Sequence, residues 1–253
     1  MKKKIIAVVL CGGFGSRISE LTTNTPKSLI KIKNKPLIWY SINSLLKSGI
    51  KDIILPLGYK GESIRQYVLK NFKKNLDNIR LIDTGEKTEI FQRILKIKKQ
   101  LIGYDSFIII NSDTLFDFKL KKLINFHYNN KYNISLSGIK MKTSWGSILL
   151  KKNNSVYKFK KNNIIDRYYL KNDSKYKAFR NTGITIINSN FLRHAKKINK
   201  KTDFEDFFYN KKNIGSLIFD GFWYPVETYK DFLNLKKNRF LLKKVVKLFN
   251  RIK

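Results

Sequence analysis

Short apolar runs alternate with longer stretches whose apolar residues recur every three to four positions, and this alternation organises most of the chain. Ile5 to Leu10, Ile50 to Leu57, Ile79 to Ile82 and Phe107 to Ile110 are apolar runs of the length and composition of buried strands. Between the first two, Leu37 to Ser48 sets Leu37, Ile38, Tyr40, Ser41, Leu45 and Leu46 at helical spacing, with Gly49 as the C-terminal stop. The turn Gly58 to Glu62 leads into a second helix, Ser63 to Asn71. Strand, helix, strand, helix in this order predicts a parallel sheet with right-handed crossovers. Further on, Ile134 to Met141, Gly146 to Leu150, Val156 to Lys161 and Ile184 to Ile187 read as strands. From Tyr229 to Lys253, Leu, Val and Phe recur at helical spacing among lysines, which predicts an amphipathic tail packed on the domain.

Length and composition narrow this picture. A chain of 253 residues, 42% of them hydrophobic, builds one large α/β domain or one domain with a small appendage. No apolar run reaches the ~20 residues of a membrane-spanning helix, and the apolar part of the N-terminus leads straight into a glycine loop, so it reads as a first strand and not as a signal peptide. The single cysteine, Cys11, excludes an internal disulfide framework and suits a reducing, cytoplasmic setting; it reads as a small buried loop residue. The formal charge of +35, from 53 Lys and Arg against 18 Asp and Glu, would attract polyanions. Its lysines are spread from end to end without a zinc-finger spacing or an aromatic-glycine RNA motif, so nucleic acid is not the expected partner and small anionic substrates are a sufficient use for the field.

The candidate chemistry starts where the first strand ends. Gly12, Gly13 and Gly15 follow Leu10, and three glycines in four residues let backbone N–H groups close around an anion. Arg17 adds a planar, permanently charged fork, and Pro26 fixes the backbone ahead of Lys27, a compact point charge. Downstream, Asn111-Ser112-Asp113 ends the most apolar strand candidate, where an acidic residue is well placed to hold a cation.

Together, Gly12, Gly13, Gly15, Ser16, Arg17, Thr22 or Thr23, Pro26, Lys27, Leu29, Ile32, Lys35 and Pro36 resemble the signature of the sugar-phosphate nucleotidyltransferases. The resemblance implies an α/β, Rossmann-like nucleotidyltransferase fold with a mostly parallel central sheet flanked by helices, placed here at residues 1–228 with the basic helical tail at 229–253. It implies transfer of a nucleotidyl group from an NTP to a sugar 1-phosphate with release of pyrophosphate. By matching motif positions it assigns catalysis to Arg17 and Lys27, and nucleotide binding to Leu10, Gly12, Gly13, Gly15, Ser16, Arg17, Thr84, Gly85 and Thr88. Sugar phosphate falls to Asn181, Gly183, Glu205 and one of Lys160 and Lys161, of which Lys161 is taken, and Mg2+ to Asp113 and Glu227.

Within the family, Leu10 to Gly13, Asp83-Thr84-Gly85 and Gly221 to Thr228 resemble the glucose-1-phosphate cytidylyltransferase branch. Leu115 to Tyr128 instead resembles a helical region of the guanylyl and heptose branches, so a guanylyl- or uridylyltransferase for mannose- or heptose-type sugars stays open, as does a homo-oligomer. Three departures stand out: Phe91-Gln92 in place of a glycine pair, Asn162 at a lysine position, and Glu227 in place of aspartate. Two bulky residues at 91 and 92 are expected to crowd a ligand there. A nucleotide-sugar-binding regulator without turnover is the reading that such departures would allow.

Overall fold

The computed structural model describes residues 3–139, 147–160, 177–193, 204–209 and 213–253, which divide into two units, Met1–Asp117 with Phe222–Lys253, and Phe118–Gly221. In the first unit, strands β1 (Ile5–Leu10), β2 (Ile53–Leu57), β3 (Ile79–Asp83) and β4 (Ser106–Asn111) form a parallel sheet in the order β4-β1-β2-β3. Helices α1 (Leu37–Lys47), α2 (Gly61–Asn71) and α3 (Ile90–Lys96) lie in its connections. The α/β expectation is met. The core is the one that the apolar runs announce: Ile6 to Val9 of β1 and Leu37, Ile38, Ile42 and Leu45 of α1 are inaccessible to solvent.

Two boundaries differ from the sequence reading, each for a local reason. The second strand starts at Ile53, not Ile50, because Ile50 completes the end of α1. Gly49 takes φ +82°, its N–H donates to Leu46 O (2.9 Å), and the Ile50 N–H donates to Leu45 O (3.1 Å), which is a Schellman closure. Helix α2 starts two residues early, at Gly61, because Lys60 accepts a left-handed conformation (φ +50°) as its N-cap. Strand β1 pairs with β4 along its whole length, from Ile5 opposite Ser106 to Leu10 opposite Asn111, so the segments that follow both strands leave the sheet side by side. A short strand, β5 (Thr114–Phe116), comes next.

The second unit contains α4 (Leu120–Asn129), β6 (Ile134–Ile139), β7 (Ser147–Leu150), β8 (Val156–Lys160), β9 (Lys177–Asn188), α5 (Phe204–Tyr209) and β10 (Ile214–Phe219). Strand β9 runs antiparallel to β6 and β7, β7 antiparallel to β8, and β10 parallel to β6. The family-like region Leu115 to Tyr128 is therefore not all helix: Thr114–Phe116 is a strand and α4 begins at Leu120.

His127 of α4 is buried, with Nδ1 2.9 Å from Ser135 Oγ on β6. Burial disfavours the imidazolium and pushes its pKa down from 6.5 to about 4. The unfolded chain therefore binds a proton that the folded chain refuses, and stability falls as pH drops through the window between those values. From about pH 7.5 to about pH 5 the loss from this one residue is on the order of 2 kcal/mol. His127→Asn, which keeps a polar partner for Ser135 but does not titrate, is expected to lose correspondingly less stability over that range in paired urea melts. Equal losses in the two proteins would refute the assignment.

The chain then returns to the first unit with β11 (Trp223–Pro225), α6 (Tyr229–Lys237) and α7 (Arg239–Ile252). Thr228 and Asp231 form a reciprocal capping box that starts α6. Helix α7 turns Val245, Leu248 and Ile252 inward, and its Phe249 ring stacks on Trp39 of α1 with centroids 5.2 Å apart. No helix among the described residues is long and apolar enough to cross a membrane.

Candidate active site

A cavity of about 530 Å³ opens in the first unit at the carboxyl end of its sheet. Its floor is the glycine loop that leaves β1. A Cβ on Gly12 would sit 2.6 Å from Arg93 Nη1 and 3.0 Å from Gly58 N, so no side chain fits there. Gly15, at φ +68°, turns the loop into a single helical turn at Ser16–Ile18. Gly13 meets nothing within 4 Å, which leaves its backbone open to a ligand. The loop is pinned from behind: Gly12 O accepts the Tyr59 N–H (3.1 Å), Cys11 O accepts Ser28 Oγ (3.2 Å), and the Lys60 ammonium donates to the carbonyls of Thr22 and Thr23.

Two ion pairs form the charged end of the cavity. Lys27 Nζ lies 2.6 Å from Asp113 Oδ2, and Arg17 Nη1 lies 3.0 Å from Glu227 Oε2. Asp113 follows β4, beside the loop from β1. Glu227, distant in sequence, is brought to it by a three-residue antiparallel ladder in which Trp223, Tyr224 and Pro225 of β11 face Phe116, Leu115 and Thr114 of β5. The ladder is extended by the Val226 N–H donating to Asp113 O (2.9 Å), and Asp231 Oδ2 accepts the Glu227 N–H (3.2 Å).

Behind the loop lies Arg93 of α3, only 3% exposed. Its Nη1 donates to Leu57 O (3.0 Å) and Thr84 Oγ1 (2.5 Å), and its Nη2 to Gly12 O (2.8 Å) and Glu86 O (3.1 Å). One guanidinium thus ties together the segments that follow β1, β2 and β3. Burial lowers its pKa, while the nearby carboxylates of Glu89 and Asp83 favour its charge. Cys11 is itself buried, and burial pushes its thiol up to about 12, which denies it the thiolate a nucleophile needs.

The cavity gathers Leu10, Gly12, Gly13, Gly15, Ser16, Arg17, Lys27, Thr88, Asp113 and Glu227. Thr84 and Gly85 do not line it: the Thr84 hydroxyl donates to Leu57 O (2.6 Å) and serves the Arg93 clamp. Asn181 and Gly183 belong to the second unit, where Asn181 Oδ1 accepts the Gly183 N–H (3.0 Å). Glu205 is on α5 with its side chain outside the described set, and Lys161 and Asn162 lie outside the described residues.

The crowding expected from Phe91 and Gln92 is absent, because residues 90–96 form a helix. Helical spacing turns Ile90 and Arg93 to the cavity, while Phe91 and Ile94 go to the core and Gln92 stays off the cavity wall. The Arg93 clamp is the feature that reading the sequence missed. Nothing in the sequence pattern says that a buried guanidinium would hold three strand ends.

Known proteins resemble this chain in sequence and in fold. The family model for Nucleotidyl transferase matches residues 6–239. A Bacillus subtilis protein named probable glucose-1-phosphate cytidylyltransferase is 29% identical over 262 residues, covering 91% of this chain and 94% of that protein. The mannose-1-phosphate guanyltransferase of Hypocrea jecorina is 28% identical over 233 residues, which is 90% of this chain but only 62% of that relative. The solved structure of HddC from Yersinia pseudotuberculosis shares the fold at a TM-score of 0.74 and 21% identity, covering 91% of this chain and 97% of that one. The chain belongs to the nucleotidyl transferase family.

Proposed function

We propose that this protein transfers a nucleotidyl group from an NTP to a sugar 1-phosphate. The observation that carries the reading is the convergence of Lys27, Asp113, Arg17 and Glu227 at one end of a cavity floored by open glycine backbone. A phosphate oxygen of the sugar phosphate attacks the α-phosphorus, the bond to the departing pyrophosphate breaks, and pyrophosphate leaves with the electron pair. The attacking oxygen is already anionic, so no general base is required. The protein's work is positioning and charge neutralisation. Loop N–H groups and Arg17 hold the β- and γ-phosphates, and Lys27 stabilises the charge that shifts during transfer.

Asp113 and Glu227 supply hard carboxylate oxygens at the same end of the cavity. No group of three or more His, Cys, Asp or Glu side chains able to hold a metal occurs among the described residues. That donor set fits Mg2+, which takes one or two protein carboxylates and completes its shell with phosphates and water. Held there by Asp113 and Glu227, Mg2+ would supply positive charge that neutralises the phosphates. The assignment of Lys161, Asn181, Gly183 and Glu205 to the sugar phosphate rests on sequence resemblance alone. The substrates and the single buried cysteine fit a cytoplasmic enzyme.

For the substrate pair we favour CTP and glucose 1-phosphate, since Leu10 to Gly13, Asp83 to Gly85 and Gly221 to Thr228 resemble the cytidylyltransferase branch and the Bacillus subtilis relative is matched over nearly its full length. A guanylyl transfer to a mannose-type sugar is the second reading, favoured by the likeness to the Hypocrea jecorina guanyltransferase. Thermal unfolding with CTP, UTP, GTP, ATP and dTTP, each with Mg2+, ranks the bases without a guess at the sugar. A nucleotide at a hundred times its Kd is expected to stabilise by about 2.7 kcal/mol. Pyrophosphate release from the best nucleotide with a panel of sugar 1-phosphates then identifies the acceptor. No stabilisation by any nucleotide together with no pyrophosphate from any pair would overturn the reading.

A further inference from the structure

Four large hydrophobic side chains are exposed among the described residues, and two of them, Phe14 and Ile90, each 46% exposed, line the same cavity. Phe14 sits in the glycine loop between Gly13 and Gly15, and Ile90 opens α3. Leaving both in water sacrifices burial that a core position would provide, so their shared location asks for a partner.

The strand order shows which part of a ligand they face. Lys27 and Asp113 stand by the ends of β1 and β4, at one side of the sheet, while Ile90 follows β3, at the other side. Three strand spacings of about 4.8 Å separate β4 from β3, so the two ends of the cavity are roughly 14 Å apart. Phe14 leans toward the second end: its ring lies 4.9 Å, centroid to centroid, from that of Tyr59, which follows β2, at an interplanar angle of 39°. The Tyr59 N–H is bonded to Gly12 O, so the ring behind Phe14 is anchored to the loop itself. The Lys27–Asp113 end takes phosphates, and the far end, where Ile90 stands beside Glu86, Lys87, Thr88 and Glu89, is left for a flat group with polar edges.

We propose that Phe14, backed by Tyr59, is the residue on which the nucleobase stacks, with Ile90 as a second apolar wall. This rests on the nucleotide reading above and adds to it the residue that grips the base. An aromatic face accepts every base, so Phe14 supplies affinity, and choice among bases falls to groups at their edges.

The test uses the whole protein with Mg2+ and two probes: the NTP that stabilises wild type most, and inorganic tripolyphosphate, which carries the phosphates without a nucleoside. In calorimetric titrations Phe14→Ala is expected to weaken NTP binding about 10- to 100-fold and leave tripolyphosphate unchanged. Phe14→Trp is expected to restore NTP affinity and to add an indole emission that NTP quenches and tripolyphosphate does not. A Phe14→Ala protein that loses both probes equally, or neither, overturns the stacking role, because the first outcome marks a collapsed loop and the second an idle side chain. A wild type that binds no NTP at all overturns the nucleotide reading itself, and the stacking role with it.

Discussion

Replacing Lys27 with methionine is expected to lower kcat by about 10²–10³ while the protein stays folded. Lys27 Nζ reaches Asp113 Oδ2 at 2.6 Å, and the two side chains are 14% and 22% exposed, so the ammonium works in a partly water-excluded pocket where its charge is weakly screened. The turn that carries it, Lys27–Leu29, follows Pro26 at φ −63° and is closed by the Ile30 N–H on Lys27 O (3.1 Å), so the charge arrives already oriented. Two effects compete in the variant. Loss of the ion pair costs roughly 1–3 kcal/mol of stability, between the exposed and the fully buried limits, which a domain of this size survives. Loss of a preorganised charge at the reacting phosphate removes about 3–4 kcal/mol of transition-state stabilisation, which is the larger consequence for turnover. On the role proposed for Lys27 the charge serves the transition state more than the ground state, so kcat and kcat/KM are expected to fall together. Asp113→Ala is expected to fall as far. Initial rates of pyrophosphate release, paired with circular dichroism melts, decide the matter: near-normal turnover in a folded Lys27→Met protein removes Lys27 from the chemistry.

Much of the first unit was legible because its signals are local. A buried parallel strand is a short apolar run, a helix start is a turn residue before a 3.6-residue period, and Ile5–Leu10, Ile79–Asp83, Ser106–Asn111 and Leu37–Lys47 all announce themselves in this way. What failed was decided by contacts between distant segments. The β5–β11 ladder is three residues long on each side, too short for a period-2 pattern, and Thr114–Phe116 becomes a strand only because Trp223–Pro225 pairs with it. Glu227 stands beside Asp113 for the same reason, so the resemblance could suggest that pairing while composition and spacing could not. Phe91-Gln92 failed in the opposite sense. Read as loop residues they obstruct a ligand; as the second and third residues of α3 they leave the cavity to Ile90 and Arg93. Phe14 gave no signal at all, since one aromatic inside a glycine loop gains meaning only once Tyr59 is seen behind it.

Arg93→Met is expected to lower the melting temperature by roughly 10 °C, the largest stability loss foreseen for a single substitution near the cavity. The alternative must be weighed first, because a buried guanidinium is costly to desolvate and its removal can be neutral where apolar packing takes over. Here the four acceptors argue against compensation. Gly12 O keeps the Tyr59 N–H, and Leu57 O keeps the N–H and hydroxyl of Thr84, so those two carbonyls stay satisfied. Thr84 Oγ1 and Glu86 O lose the donor that holds them, and methionine has none to offer. Charge-assisted bonds of this kind are worth about 1.5–3 kcal/mol each, and with two of the four covered by other donors the net loss is about 3 kcal/mol. For a chain of this length each kcal/mol moves the midpoint by about 2–4 °C. Arg93→Lys is expected to recover little, because a point donor cannot reach three strand ends as a planar fork does. The same clamp holds the floor of the cavity, so the loop should loosen before the unit melts, and hydrogen exchange at Tyr59 and Thr84, whose N–H groups donate to Gly12 O and Leu57 O, should quicken in the variant at temperatures where the helices α1 and α7 remain protected. A midpoint within about 2 °C of wild type, or exchange that quickens uniformly across the unit, would mean that the loop is held by its own backbone bonds and that Arg93 only fills space beneath it.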